Sequence, residues 1–187
     1  MIQLSSLRKT FGDRILFDQV TWHIQAGQRV GLCGPNGVGK TTLLKIMAGD
    51  VEPDAGEIAR SGDLTAGYLP QDGMAHEGRT LYEEVSCAFD ALLALQREMR
   101  ALEYQLGDTS LATAEHDAVL ARYSEVQHRF HDQDGYGIES KVTAVLRGLG
   151  FSSDDLARPT EHFSGGWQMR IALAKLLLQR PGLLLLD

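Results

Sequence analysis

Gly34-Pro35-Asn36-Gly37-Val38-Gly39-Lys40-Thr41 stands between an apolar run at residues 28–33, which reads as a strand, and a helical pattern at residues 41–48. Its glycines remove Cβ atoms, so that consecutive backbone N–H groups curl around an anion, and the positive end of the following helix adds to the attraction. Strand, glycine-rich loop, lysine, hydroxyl residue and helix together form a phosphate-binding loop. Lys40 would reach the β/γ-phosphates of a nucleoside triphosphate, and Thr41 would offer its hydroxyl to the Mg²⁺ that bridges them. The nucleotide-contacting set is Gly34, Pro35, Asn36, Gly37, Val38, Gly39, Lys40, Thr41 and the next helical residue, Thr42. Cys33 reads as a small residue buried behind the loop.

Upstream, residues 2–7 read as a strand, residues 10–14 as a turn, and residues 20–24 alternate apolar and polar side chains like a second strand. An antiparallel edge therefore precedes the nucleotide core. Downstream of the first helix, Glu52-Pro53-Asp54-Ala55-Gly56 is turn chemistry, and short strands follow at residues 57–59 and 65–69, the latter leading into Pro70-Gln71-Asp72.

From Leu81 to about Phe130 the pattern becomes helical. Leu92, Leu95, Met99, Leu102 and Leu106 recur at steps of three and four, and His116, Val119, Tyr123, Val126 and Phe130 repeat the rhythm after a break at Gly107-Asp108-Thr109-Ser110. Two such stripes can face each other as an antiparallel helical hairpin, either packed on the domain body or projecting from it as an arm. A further helix is expected over residues 140–148, with Val142, Val145 and Leu146 on its buried face. Ser164 can cap the next one, whose apolar face carries Met169, Ile171, Leu173, Leu176 and Leu177. Pro181-Gly182 ends it. Residues 183–186 are then an uninterrupted leucine strand closing on Asp187. Continuous apolar strands alternating with helices predict a parallel sheet buried on both faces.

An acidic residue at the end of a buried strand needs a cationic partner, and beside a phosphate-binding loop that partner is Mg²⁺. Asp187 reads as that carboxylate, holding the ion through its water shell opposite Thr41, the alternative being a strand-terminal aspartate that caps a turn. The bulk properties agree with a nucleotide-handling globule. The 187 residues are 43% apolar and 23% charged, with a net charge of −7 that argues against a general nucleic-acid binder. No run is apolar enough to cross a bilayer, no basic-then-apolar leader opens the chain, and two cysteines make no disulfide framework, so the expected location is the cytoplasm, without membrane insertion. The six histidines are scattered and read as ordinary residues.

Phe163-Ser164-Gly165-Gly166-Trp167-Gln168-Met169-Arg170, set between the phosphate loop and residues 183–187, resembles the signature motif of ATP-binding-cassette (ABC) ATPase domains. Serine capping a helix beside two glycines makes a second backbone anion site. In that family it faces the γ-phosphate held by another cassette, so Ser164, Gly165 and Gly166 would act in trans. Asp187 then matches the Walker B aspartate, Gln71 the glutamine that contacts Mg²⁺ and the attacking water, and Phe11 the aromatic that stacks on adenine, unless Phe11 is a core residue at the strand turn. Catalytic roles fall to Lys40, Gln71 and Ser164, and the Mg²⁺ set is Thr41, Gln71 and Asp187. Trp167 in the signature, the segment from Gly135-Tyr136 to Gly148-Leu149-Gly150-Phe151, and the helical pair resemble the ABC-F proteins, twin-cassette ATPases of which many act on the ribosome.

The resemblance implies an α/β P-loop NTPase of ABC type, with a mainly parallel core sheet, an antiparallel edge and a helical subdomain carrying a hairpin insertion. One partial cassette is expected: a nucleotide-binding core at residues 1–75, a helical subdomain at 76–163 with the hairpin at 81–133, and the signature helix with the Walker B strand at 164–187. The family's catalytic glutamate follows the Walker B aspartate, beyond Asp187, so the chain reads as the N-terminal piece of a longer protein, inactive in hydrolysis alone. Implied ligands are ATP and Mg²⁺. Implied partners are a second cassette, in the same polypeptide or as a second copy of this chain, and the ribosome. The alternatives are the ATP-binding subunit of a membrane transporter and a nucleotide-dependent interaction module with little turnover.

Overall fold

The computed structural model describes residues 1–62, 64–71, 78–108 and 112–187. It divides into two compact units, residues 1–74 with 180–187 and residues 75–179.

In the first unit, β1 (Ile2–Phe11) and β2 (Arg14–Ile24) form an antiparallel hairpin with Ile2 opposite Ile24, Leu4 opposite Trp22 and Phe11 opposite Arg14. β3 (Ala55–Arg60) pairs antiparallel along the other edge of β1, giving the order β2-β1-β3. Ile2, Leu4 and Leu7 are buried and meet Leu43, Ile46 and Met47 of α1 (Lys40–Ala48) in one apolar cluster, which also takes in Leu185. A separate parallel pair joins β4 (Ala66–Leu69) to β5 (Leu183–Leu186), with Ala66 opposite Leu183 and Leu69 opposite Leu186. The fold class is α/β, with three antiparallel strands and two parallel ones among the described residues.

Three readings are corrected in this unit. Residues 28–33 are not a strand, because an apolar run becomes one only where a neighbour supplies a hydrogen-bonding ladder, and no described strand pairs with it. Val30 and Leu32 are consequently exposed, and so is Cys33, which is not buried behind the loop. β5 is buried on one face only. Leu185 is inside, while the pleat turns Leu184 and Leu186 to the other side, where they are exposed.

The turn before β3 is held by charge. Asp54 accepts hydrogen bonds from the Thr10 amide and hydroxyl, each at 2.6 Å, and from Lys9 Nζ at 2.9 Å. The Thr10 hydroxyl and Lys9 bonds, with the Thr10 amide, hold the Asp54 carboxyl down from its ordinary 3.8 to about 2. A carboxyl lowered in the folded state contributes stability that is complete above its unfolded pKa and disappears as pH falls through the folded one. Acid titration of the melting temperature should therefore show a loss between about pH 4 and pH 2 that is shallower in Asp54→Asn. Identical slopes for the two proteins would remove Asp54 from the account.

The second unit is helical: α2 (Leu81–Ser86), α3 (Asp90–Leu106), α4 (Thr113–Asp132), α5 (Ile138–Gly148) and α6 (Gly165–Gln179). Thr80 starts α2 with a capping box, its hydroxyl accepting from the Glu83 amide while the Glu83 carboxylate accepts from the Thr80 amide. α3 and α4 lie against each other, cross-linked by Arg122 to Glu98 and by the Tyr123 hydroxyl to Glu103 at 2.9 Å. Burial along the predicted stripes fades toward their connection. Leu92, Leu95, Met99, Val126 and Phe130 are buried, whereas Leu102, Leu106, Val119 and Tyr123 are half-buried. Thr109 and Ser110 of the predicted break lie outside the described residues. Glu84 of α2 is buried and pairs with Lys175 of α6 and with Arg79. That arrangement gives a buried carboxylate the cations it needs.

Candidate functional site

The phosphate loop runs exposed from Gly34 to Val38 and tightens into α1. Gly39 has φ +105°, and a Cβ there would come within 2.8 Å of Leu16 and Phe17, so both the backbone angle and the space demand glycine. Lys40, the first residue of α1, turns back over the loop and donates to the carbonyls of Gly34 at 2.8 Å and Pro35 at 3.0 Å. Its ammonium thus already sits at the loop's mouth. Thr42 is half-buried beside Leu43.

Thr41 and Asp187, 146 residues apart in sequence, are brought into contact because α1 packs on β5. The Thr41 hydroxyl donates to Asp187 Oδ1 at 2.9 Å. This bond sets a hydroxyl and a carboxylate side by side, the oxygen donors that Mg²⁺ and its bound waters take. Both donors are hard oxygens. Among the described residues no cluster of three or more His, Cys, Asp or Glu forms a metal site, so the pair suits an ion whose other ligands are phosphate oxygens and water. Thr41 and Asp187 would hold Mg²⁺ there, which when bound neutralises phosphate charge.

Phe11 closes β1 and is exposed, with Lys9 Nζ 5.5 Å from its ring centre. Its cross-strand partner Arg14 donates from Nη2 to the Gly37 carbonyl at 2.8 Å, tying the β1–β2 turn to the phosphate loop. The sequence marks Arg14 only as a cation in a turn beside the candidate adenine platform. Gln71 is exposed in the turn after β4, and Asp72 lies outside the described residues. Tyr68 of β4, which no motif singles out, donates from its hydroxyl to Asp187 Oδ2 at 2.8 Å.

In the second unit, the Ser164 carbonyl accepts from the amides of Trp167 at 2.8 Å and Gln168 at 2.9 Å, starting α6. Ser164, Gly165 and Gly166 are exposed, and a Cβ added at either glycine meets nothing within 4 Å. The chain's own packing therefore does not require glycine there. Behind this helix start lies a run of stacked rings. Phe151 sits edge-on to Phe163 at 5.7 Å and against Trp167 at 4.8 Å, with the Arg158 guanidinium over Phe163 at 4.6 Å and that of Arg170 over Trp167 at 4.4 Å. Arg170 also donates to the Leu149 carbonyl at 3.1 Å, fixing α6 to the end of α5.

A family model described as "ABC transporter" matches residues 17–187. Over the whole chain the sequence is 35% identical to ABC transporter F family member 2 of Arabidopsis thaliana and 36% identical to the tylosin resistance ATP-binding protein TlrC of Streptomyces fradiae. It spans only 28% and 34% of those proteins. The solved structure of an ATP-binding subunit of an ABC transporter superposes on the whole chain, and on 65% of its own, with a TM-score of 0.67 at 21% identity, which shows the shared fold. No helix among the described residues is long and apolar enough to cross a membrane. With the phosphate loop, the Thr41–Asp187 contact and the signature-like helix start in place, the family match makes this chain an ATP-binding cassette and a member of the ABC transporter family.

Proposed function

We propose that the chain is a cassette of an ABC-F protein that works in the cytoplasm, where ATP binding closes two cassettes face to face and hydrolysis reopens them on the ribosome. The observation that carries the reading is whole-chain identity of 34–35% to two plant F-family members. Trp167 within the signature and the α3–α4 pair support it. The functional organisation assigned is a nucleotide core at residues 1–75, a helical part at 76–163 with its hairpin at 81–133, and signature helix plus Walker B strand at 164–187.

In this reading Lys40 binds the β/γ-phosphates, the loop amides cradle them, and Phe11 stacks on adenine. Thr41, Gln71 and Asp187 hold Mg²⁺, Asp187 through the ion's water shell, and Gln71 also contacts the attacking water. Ser164, Gly165 and Gly166 form the cap for a nucleotide carried by the other cassette, whether that cassette lies in the same polypeptide or in a second copy. The open space before the two glycines is where that triphosphate would enter. Transfer of the γ-phosphoryl group to water is then accelerated by positioning and charge stabilisation.

Sedimentation of the full polypeptide with ribosomes in a non-hydrolysable ATP analogue tests this. The wild type should pellet with ribosomes only when the analogue is present, and Ser164→Arg, which fills the cap, should bind nucleotide normally yet lose the association. Nucleotide-independent behaviour of the wild type would sink the ribosome reading, and loss of ATP binding in Ser164→Arg would sink the trans role.

A further inference from the structure

We propose that Tyr68 is a positioning residue for the metal-binding carboxylate, a role that rests on the ATP–Mg²⁺ reading of the site and deepens it. Three contacts lead to it. Tyr68 stands opposite Leu185 in the parallel β4–β5 register, the Asp187 amide donates to the Leu69 carbonyl at 3.1 Å, and the Tyr68 hydroxyl donates to Asp187 Oδ2 at 2.8 Å. β4 therefore grips Asp187 by both backbone and side chain.

A carboxylate rotates about its last bond in a broad, shallow well, so a single hydrogen bond does not fix its plane. Thr41 takes Oδ1 and Tyr68 takes Oδ2, from two different elements, and between them the plane is set. Each oxygen accepts one hydrogen bond from a neutral hydroxyl and keeps a lone pair, and Oδ1 is the one beside the Thr41 hydroxyl. Outer partners of this kind orient a ligand oxygen and commonly change metal affinity by about 10–100-fold when removed. The tyrosine also belongs to the strand that leads into Gln71, so one short element aims both the carboxylate and the segment carrying the glutamine.

Because Tyr68→Phe removes only the hydroxyl, the packing of the ring is retained. The chain is titrated with a fluorescent ATP analogue in EDTA and in Mg²⁺, and Mn²⁺ affinity in the presence of ATP is read by electron paramagnetic resonance. Tyr68→Phe should leave nucleotide affinity in EDTA within about twofold of wild type while weakening Mn²⁺ binding by roughly tenfold. On an Asp187→Ala background the same change should have no further effect, and 4-aminophenylalanine at position 68, which restores a donor, should recover most of the affinity. Wild-type Mn²⁺ affinity in Tyr68→Phe, an equal loss in EDTA, or effects that add to those of Asp187→Ala would each overturn the assignment. If the wild type itself showed no Mg²⁺-dependent nucleotide binding, the site reading would fall and this inference with it, a result distinct from the other three.

Discussion

Lys40→Ala is expected to weaken ATP binding by roughly 100-fold. A hydrogen bond to a fully charged phosphate oxygen is worth about 1.5–3 kcal/mol, and the upper end applies in the proposed site, where the ammonium would be the loop's own cation for the triphosphate. Its position is prepared in advance, since Nζ already rests on the Gly34 and Pro35 carbonyls, so little side-chain ordering remains to offset the gain. The loss of those two resting bonds costs little, as the loop is exposed and water replaces the ammonium there. Calorimetric titration with ATP at physiological salt measures the effect, with thermal denaturation to show that the fold persists. Affinity within threefold of wild type would remove Lys40 from the phosphate site.

Phe130→Ala should cost about 3–5 kcal/mol of stability, the range for emptying the space of a buried aromatic ring. Phe130 is 1% exposed, lies edge-on to Tyr136 with centroids 4.9 Å apart, and closes on Gly135 so tightly that a Cβ there would come within 2.5 Å of the ring. It stands in α4 against the Gly135–Gly137 turn and belongs to the apolar cluster that also holds Leu92 and Leu95 of α3 and Ile138 of α5. Since domains are stable by only about 5–15 kcal/mol, the variant should lose a large part of its urea resistance. A shift below about 1 kcal/mol would show that the cluster collapses freely around the gap.

The helices were legible in the sequence because their signal is local. Apolar residues at three- and four-residue steps state which face is buried, and the outward fading of burial along α3 and α4 follows from where the partner helix is alone in covering them. Strand formation at residues 28–33 was not legible in the same way, since Val30 and Leu32 look like a strand whether or not a neighbour supplies a ladder. Leu184 and Leu186 misled for a related reason: four leucines in a row say nothing about which face is covered. At the candidate site, the loop residues and Asp187 could be named from motif spacing, whereas Tyr68 and Arg14 could not. Their bonds to Asp187 and to Gly37 depend on β4–β5 register and on the β1–β2 turn, which exist only in the folded chain.

The stacked side chains behind Ser164 have a mechanical meaning. Arg158, Phe163, Phe151, Trp167 and Arg170 are in face or edge contact in sequence, and each separation is already that of a favourable pair. Sliding the start of α6 against the end of α5 would open several of these contacts together and pull Arg170 from the Leu149 carbonyl. The joint is therefore stiff, with little give between the serine and the body of its helical unit. Shifting Ser164 against α5 has to break several contacts at once, where a loosely packed loop would yield them one at a time.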